Sequence, residues 1–179
     1  MQEPFVAEQR VLYGDTDAMG VAYYANYLKW FEIGRAELFR RVGSSYRELE
    51  GRGCFLPVHE AYCRYRQPAR YDDVIRIETR FSLSGRARLR FDYRLFSRDT
   101  DALLAEGYTV HACTDGQGRP IKPPVYLRDL LAPLASAGGG RDGRVKEILG
   151  PVLKLEAEEK PDAPLPFSRL SGFLHGVEP

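Results

Sequence analysis

The sequence holds little of what metal or disulfide chemistry needs. Its 179 residues include only 3 cysteines and 3 histidines. Cys54, Cys63 and Cys113 are widely spaced with no C-x-x-C pair, and His59, His111 and His175 are equally scattered. On that spacing neither a zinc site nor a disulfide framework is expected, nor any metal or organic cofactor, and a reducing, cytoplasmic setting fits. No stretch approaches the roughly 18 uninterrupted apolar residues of a membrane span, so no membrane insertion is expected. The opening MQEPFVAEQR lacks the basic stretch and apolar run of a signal peptide. An excess of one charge is missing too. Lys and Arg total 26 against 25 Asp and Glu, a formal net charge of +1, which speaks against a dedicated nucleic-acid binder.

Hydrophobic residues make up 44% of the chain and aromatics 12%, enough to bury a core and to exclude wholesale disorder. Glycine and proline mark where that core ends. Half of the 12 prolines fall after residue 132, and the stretch from Ala137 to Gly143 holds four glycines. Glycine loses the most backbone freedom on ordering, and proline breaks long periodic elements. The pattern predicts a domain over 1–132 and a partly ordered Gly/Pro-rich extension over 133–179.

Within the domain, 5–13 reads as a strand, followed by the turn-forming, Gly-bounded run Asp15 to Gly20. A helix is predicted from about Ala25 to Val42, with Tyr27, Trp30, Phe31, Gly34, Leu38 and Val42 on one face and Lys29, Glu32 and Arg40 opposite. Gly43 suits its C-terminal cap. Gly34 in mid-helix costs about 1 kcal/mol against Ala, which predicts a close approach to a sheet. Residues 75–83 and 87–95 alternate apolar and polar with period two, so they read as antiparallel strands with one face buried, joined through Ser84-Gly85. Further strands are expected at 55–66 and 103–114. One long apolar helix beside a single antiparallel sheet is an α+β arrangement, with the sheet wrapped around the helix.

The chemically informative stretch is YGDTDAMGVAYYANYLKW, Tyr13 to Trp30. Two carboxylates, Asp15 and Asp17, lie in a loop leading within ten residues into the helix. A helix start offers unpaired N–H groups and a partial positive charge. A carboxylate facing such donors can attack a carbonyl, or activate a water, while the N–H groups hold the developing oxyanion. The residues alone do not rank the two aspartates, and both also suit turn or capping roles.

With D-T-D-A-M-G-V-A-Y-Y-A-N-Y, Asn26-Tyr27 leading into the helix, and Gln67-Pro68-Ala69-Arg70-Tyr71-Asp72-Asp73 before the alternating strand, residues 5–126 resemble the hot-dog-fold acyl-CoA thioesterases of the 4-hydroxybenzoyl-CoA thioesterase type. The resemblance implies a hot-dog fold and hydrolysis of an acyl- or aroyl-CoA to free acid and CoA. It matches Asp17 to the catalytic carboxylate, as nucleophile or general base, and the peptide N–H of Tyr24 to the donor that polarises the thioester carbonyl. Asp15 is then a structural loop residue. Many bacterial relatives have His where this chain has Tyr24, so a pathway needing imidazole there is not available, whereas a backbone donor survives the exchange. The resemblance also implies a homodimer or homotetramer with two protomers building each site.

Coenzyme A carries phosphates that call for Arg or Lys on an accessible rim. Arg86, Arg88 and Arg90 share the outward face of the strand past Ser84-Gly85, and in the family the turn entering this strand lies near the nucleotide, so Arg86 and Arg88 are the candidates. His59, on an expected strand, is read as a structural residue, and His111 as a core-facing one. An alternative reading is a non-catalytic hot-dog module that binds acyl-CoA or acyl-carrier-protein-linked chains. A dehydratase of the same fold is disfavoured, since neither His59 nor His111 lies in a suitable motif.

Overall fold

The structure, a computed structural model, describes residues 3–84 and 88–134. The chain divides into two compact units, Met1–Gly138 and Gly139–Pro179. The second unit, with nearly all of the expected 133–179 extension, lies outside the described residues. The described part is one antiparallel sheet and one long helix with two short ones. Strands β1 (Phe5–Arg10), β2 (Val58–Tyr65), β3 (Val74–Ser84), β4 (Arg88–Ser97) and β5 (Leu103–Ala112) lie in the order β1-β3-β4-β5-β2. Helix α1 (Asn26–Arg41) touches all five. This is the hot-dog arrangement expected from the sequence.

Alternation dictates the register. Ile75, Ile77, Thr79 and Phe81 of β3 pair with Ser97, Leu95, Tyr93 and Phe91 of β4, so the two apolar sets share the face that meets α1. The helix buries Tyr27, Trp30, Phe31, Gly34, Arg35, Leu38 and Phe39 against it, with Phe31 stacked on Tyr93 at 4.4 Å between ring centroids. Each fully buried large side chain contributes about 1.5–3 kcal/mol. Gly34 marks the closest approach, since a Cβ there would lie 2.5 Å from Thr79 Oγ1 and 2.6 Å from Ile77 Cγ2. The helix ends as expected at Gly43, whose φ of 84° lets its N–H reach the Arg40 carbonyl while Ser44 N–H reaches that of Phe39.

Several boundaries differ from expectation. The first strand stops at Arg10 because the Asp15 carboxylate accepts the Leu12 N–H and draws Tyr13–Asp15 into a 3-10 turn. Pairing of β2 starts at Val58 rather than at 55. Pro57 has no N–H to donate, and Phe55 makes only an isolated bridge to Thr114. Two short helices add to the expected elements. In α2 (Tyr46–Gly51), Ser45 caps the Glu48 N–H, and α3 (Val125–Leu131) starts after Pro124. No described helix is long and apolar enough to cross a membrane.

A polar cluster lies inside this core. Arg35 is buried without an ion pair among the described residues and binds the hydroxyls of Tyr46, Tyr93 and Thr109. Thr109 in turn meets Tyr93 Oη at 2.8 Å and His111 Nε2 at 2.9 Å, and His111 Nδ1 lies 2.9 Å from the Leu56 carbonyl. Burial opposes the Arg35 charge, but Tyr93 and Tyr46 outweigh it. Burial first, then the charge of Arg35, holds His111 down to about 4.

Two outcomes are expected. Gly34→Ala lowers stability by about 1–3 kcal/mol, because overpacking against Thr79 and Ile77 outweighs the gain in helix propensity; a urea midpoint at or above wild type would contradict it. The folded protein keeps His111 neutral to about pH 4, whereas an unfolded histidine protonates near pH 6.5. Between those values the unfolded chain binds more protons, so stability falls as pH drops from 6.5 to 4, by roughly 2–3 kcal/mol from this group. Urea titrations over that range should show a shallower fall in His111→Gln.

Candidate active site

The loop before α1 is a small hairpin. Thr16 and Ala22 form an antiparallel bridge, Asp17 N–H binds the Val21 carbonyl, and Gly20 N–H closes the turn on the Asp17 carbonyl at 2.9 Å. Gly20 takes φ 70° there. The Asp17 side chain is half-buried at the base of this turn, and Oδ1 accepts the Met19 N–H at 2.8 Å. That is its single hydrogen bond among the described residues.

Asp15 does different work. It is buried, its Oδ2 accepts the Leu12 N–H at 2.9 Å, and its Oδ1 lies 3.2 Å from Lys29 Nζ. Its carbonyl accepts two further bonds at 2.8 Å, from Tyr23 N–H and from the Asn26 side-chain amide. Asp15 therefore ties the loop to the first turn of α1.

The start of α1 is open. Its N-cap is Ala25, with no side-chain cap and no acidic residue in the first turn. Asn26, Tyr27 and Leu28 N–H groups bond three residues back, to Tyr23, Tyr24 and Ala25 carbonyls. The N–H groups of Tyr24 and Ala25 have no acceptor among the described residues. Tyr24 itself is exposed, its ring 4.4 Å from that of Tyr23. The Tyr23 hydroxyl is pushed above the ordinary tyrosine range by Tyr24 first, then by slight burial and by the charge of Asp17.

The third part of the motif anchors the other two. The Ala69 carbonyl accepts the Ala22 N–H at 2.8 Å, and the Ala69 N–H donates to the Tyr27 hydroxyl at 3.1 Å. Residues 67–73 thus brace both the hairpin and α1, a reason for all three pieces to occur together.

Of the expected phosphate ligands, Arg88 opens β4, exposed, with no ion pair among the described residues. Arg86 lies outside the described residues. Arg90 is engaged, ion-paired to Asp92 and lying 3.8 Å over the Tyr108 ring. His59 is exposed on β2 rather than a hydrogen-bonded structural residue, because the bulge between Val58 and Glu60 breaks its pairing. Cys54 and Cys113 are buried and Cys63 half-buried. No group of three His, Cys, Asp or Glu among the described residues could hold a metal.

Sequence reasoning did not single out Tyr65, whose hydroxyl donates to the Tyr24 carbonyl at 3.2 Å, nor a partner for the Asp15 carboxylate in Lys29. Strand alternation puts Tyr65 on the same face as Ala61 and Cys63, but only the fold sets that face against the start of α1.

Asp15→Asn should act on stability, costing about 1–3 kcal/mol through the weakened Leu12 and Lys29 interactions, with hydrolysis by the remaining folded protein near wild type. A normal melting curve with activity lost would reverse the roles given to Asp15 and Asp17.

Comparison with known proteins places the chain among thioester hydrolases. The chain is 33% identical over 123 residues to the acyl-CoA thioester hydrolase YbgC of Escherichia coli, spanning 69% of this chain and 90% of that one. It is 35% identical over 127 residues to the 1,4-dihydroxy-2-naphthoyl-CoA hydrolase of Synechococcus elongatus, spanning 69% and 92%. In fold it is similar to the Synechocystis 1,4-dihydroxy-2-naphthoyl-CoA thioesterase Slr0204, with a TM-score of 0.68 at 21% identity over 73% of this chain and 96% of that one. Residues 11–148 match the model of the thioesterase-like superfamily, and the chain belongs to that family.

Proposed function

We propose that this thioester hydrolase cleaves an acyl- or aroyl-CoA to the free acid and CoA, with Asp17 as the reacting carboxylate and the Tyr24 peptide N–H as the donor to the thioester oxygen. One observation carries the reading. Among the described residues, a carboxylate with a single hydrogen bond stands on a hairpin that Asp15 fastens to a helix start with no side-chain cap and with two N–H groups that have no acceptor. An uncapped helix start carries partial positive charge and favours a negative group beside it. A carbonyl oxygen gaining charge in the transition state is such a group, and fixed donors aimed at it lower the barrier without reorganisation.

The step needs no metal. As nucleophile, the Asp17 carboxylate attacks the thioester carbon, the C–S bond breaks, CoA leaves as thiolate, and water cleaves the resulting anhydride. As general base, Asp17 takes the proton of a water that attacks the same carbon, and CoA again leaves. Arg88, exposed and without an ion pair among the described residues, is the candidate to meet the phosphates of the nucleotide end, and Arg86, two residues earlier and outside the described residues, is its second candidate from the sequence. The site is completed in a homodimer or homotetramer. Among the described residues β2 is an edge strand of the sheet and mostly exposed, which suits pairing with a second copy.

Asp17→Asn should lower kcat at least about 100-fold, a loss of roughly 2.7 kcal/mol in transition-state stabilisation, with an unchanged melting curve. Thiol release from a panel of CoA thioesters measures it, and near-wild-type turnover would overturn the assignment. Tight binding of CoA thioesters by the unaltered protein without thiol release would instead favour a binding module.

A further inference from the structure

We propose that the Ala25 N–H serves as a second donor beside that of Tyr24, and that Tyr65, on edge strand β2, is a positioning residue that aims and strengthens it through its hydroxyl bond to the Tyr24 carbonyl. The inference rests on the thioesterase reading above and deepens it.

The Tyr24 carbonyl and the Ala25 N–H belong to one planar peptide group. That carbonyl accepts the Tyr27 N–H at 3.3 Å from within the helix and the Tyr65 hydroxyl at 3.2 Å from 41 residues away. With its oxygen held at two points, the peptide plane cannot rotate freely, and the Ala25 N–H is kept pointing away from the helix. A hydrogen bond to one end of a peptide group also polarises the other, strengthening a donor by about 10–30%. The Tyr23 carbonyl, bonded to Asn26 N–H at 2.9 Å, does the same for the Tyr24 N–H. Among the described residues, two successive N–H groups without acceptors are thus each backed by a bonded carbonyl, and Tyr65 supplies the one of these bonds that comes from outside the helix.

Tyr65 is itself held in place. Its ring meets Tyr27 edge-on at 5.0 Å and 84°, and the Tyr27 hydroxyl is bound by Ala69 N–H. Burial, reinforced by Cys63, raises the Tyr65 hydroxyl to about 12, so it remains a donor throughout the neutral range. Tyr65 is nonetheless 47% exposed, and a partly hydrated bond of this length contributes little to folding. Its consequence lies in the orientation of the turn, where a small misalignment of an oxyanion donor is expensive in rate.

The test is Tyr65→Phe, which keeps the ring and removes the hydroxyl, in the full-length chain. The expected result is a kcat about tenfold lower, less than the loss of a whole oxyanion donor, with KM within about twofold and an unchanged urea midpoint. The carbonyl stretch of a bound non-hydrolysable amide analogue of a CoA thioester should move toward its free-solution frequency. Unchanged kcat, or a kcat loss matched by a lower urea midpoint and an unmoved carbonyl frequency, would overturn the proposal. Asp17→Asn, assayed alongside, keeps the two questions apart. If it is inactive while Tyr65→Phe is fully active, only the positioning role fails. If it remains active, the assignment of the site itself fails.

Discussion

The local geometry depends on what happens at Asp15. Its carboxylate ends β1 by accepting the Leu12 N–H, and its carbonyl receives both the Tyr23 N–H and the Asn26 side chain. One residue therefore stops a strand, launches a hairpin and fixes the first turn of the helix that follows. The hairpin's own acid, Asp17, is spared from that work. Among the described residues its carboxylate bonds only to the Met19 N–H. The proposed site thus separates the acid doing the holding from the acid proposed to react, a firm scaffold and an available carboxylate within three residues.

The second constraint is the closeness of α1 to the sheet. Gly34 lets the helix come down onto Ile77 and Thr79, and the aromatic face around it fills the remaining volume. That close approach also encloses Arg35, Tyr93, Thr109 and His111, a polar cluster in which hydroxyls rather than carboxylates meet the guanidinium. An uncompensated buried polar group is costly, so each member satisfies its neighbour. His111 is kept neutral by this environment, which makes it a structural hydrogen-bonding group and a source of acid sensitivity rather than a proton carrier for chemistry near neutral pH.

Much of this was legible in the chain. The helix from about 25 to 42, its cap at Gly43, the hairpin strands on either side of Ser84, and the need for Gly34 to meet a sheet follow from periodicity and from glycine's missing side chain. Local rules set these features, and local rules are what a sequence displays. The strand ends at Arg10 and Val58 were less visible, because they turn on one carboxylate reaching back three residues and on one proline lacking a donor. Arg35 was not visible at all. It adjoins Gly34 on the buried side, and only the hydroxyls arriving from α2, β4 and β5 make an arginine tolerable there.

The sequence by itself determined an α+β chain with one long helix, an antiparallel sheet and a carboxylate-bearing loop just before the helix, since alternation, helical spacing and turn chemistry are written in neighbouring residues. Resemblance ranked Asp17 over Asp15, and local bonds to Leu12, Tyr23, Asn26 and Lys29 account for the structural part that Asp15 takes. What tertiary structure alone decided is the company the helix start keeps. Ala69 braces Tyr27, and Tyr65 reaches the Tyr24 carbonyl from a strand 41 residues on. Those contacts depend on strand order and on which face of β2 turns toward α1, and no local pattern encodes a distance between segments so far apart in the chain.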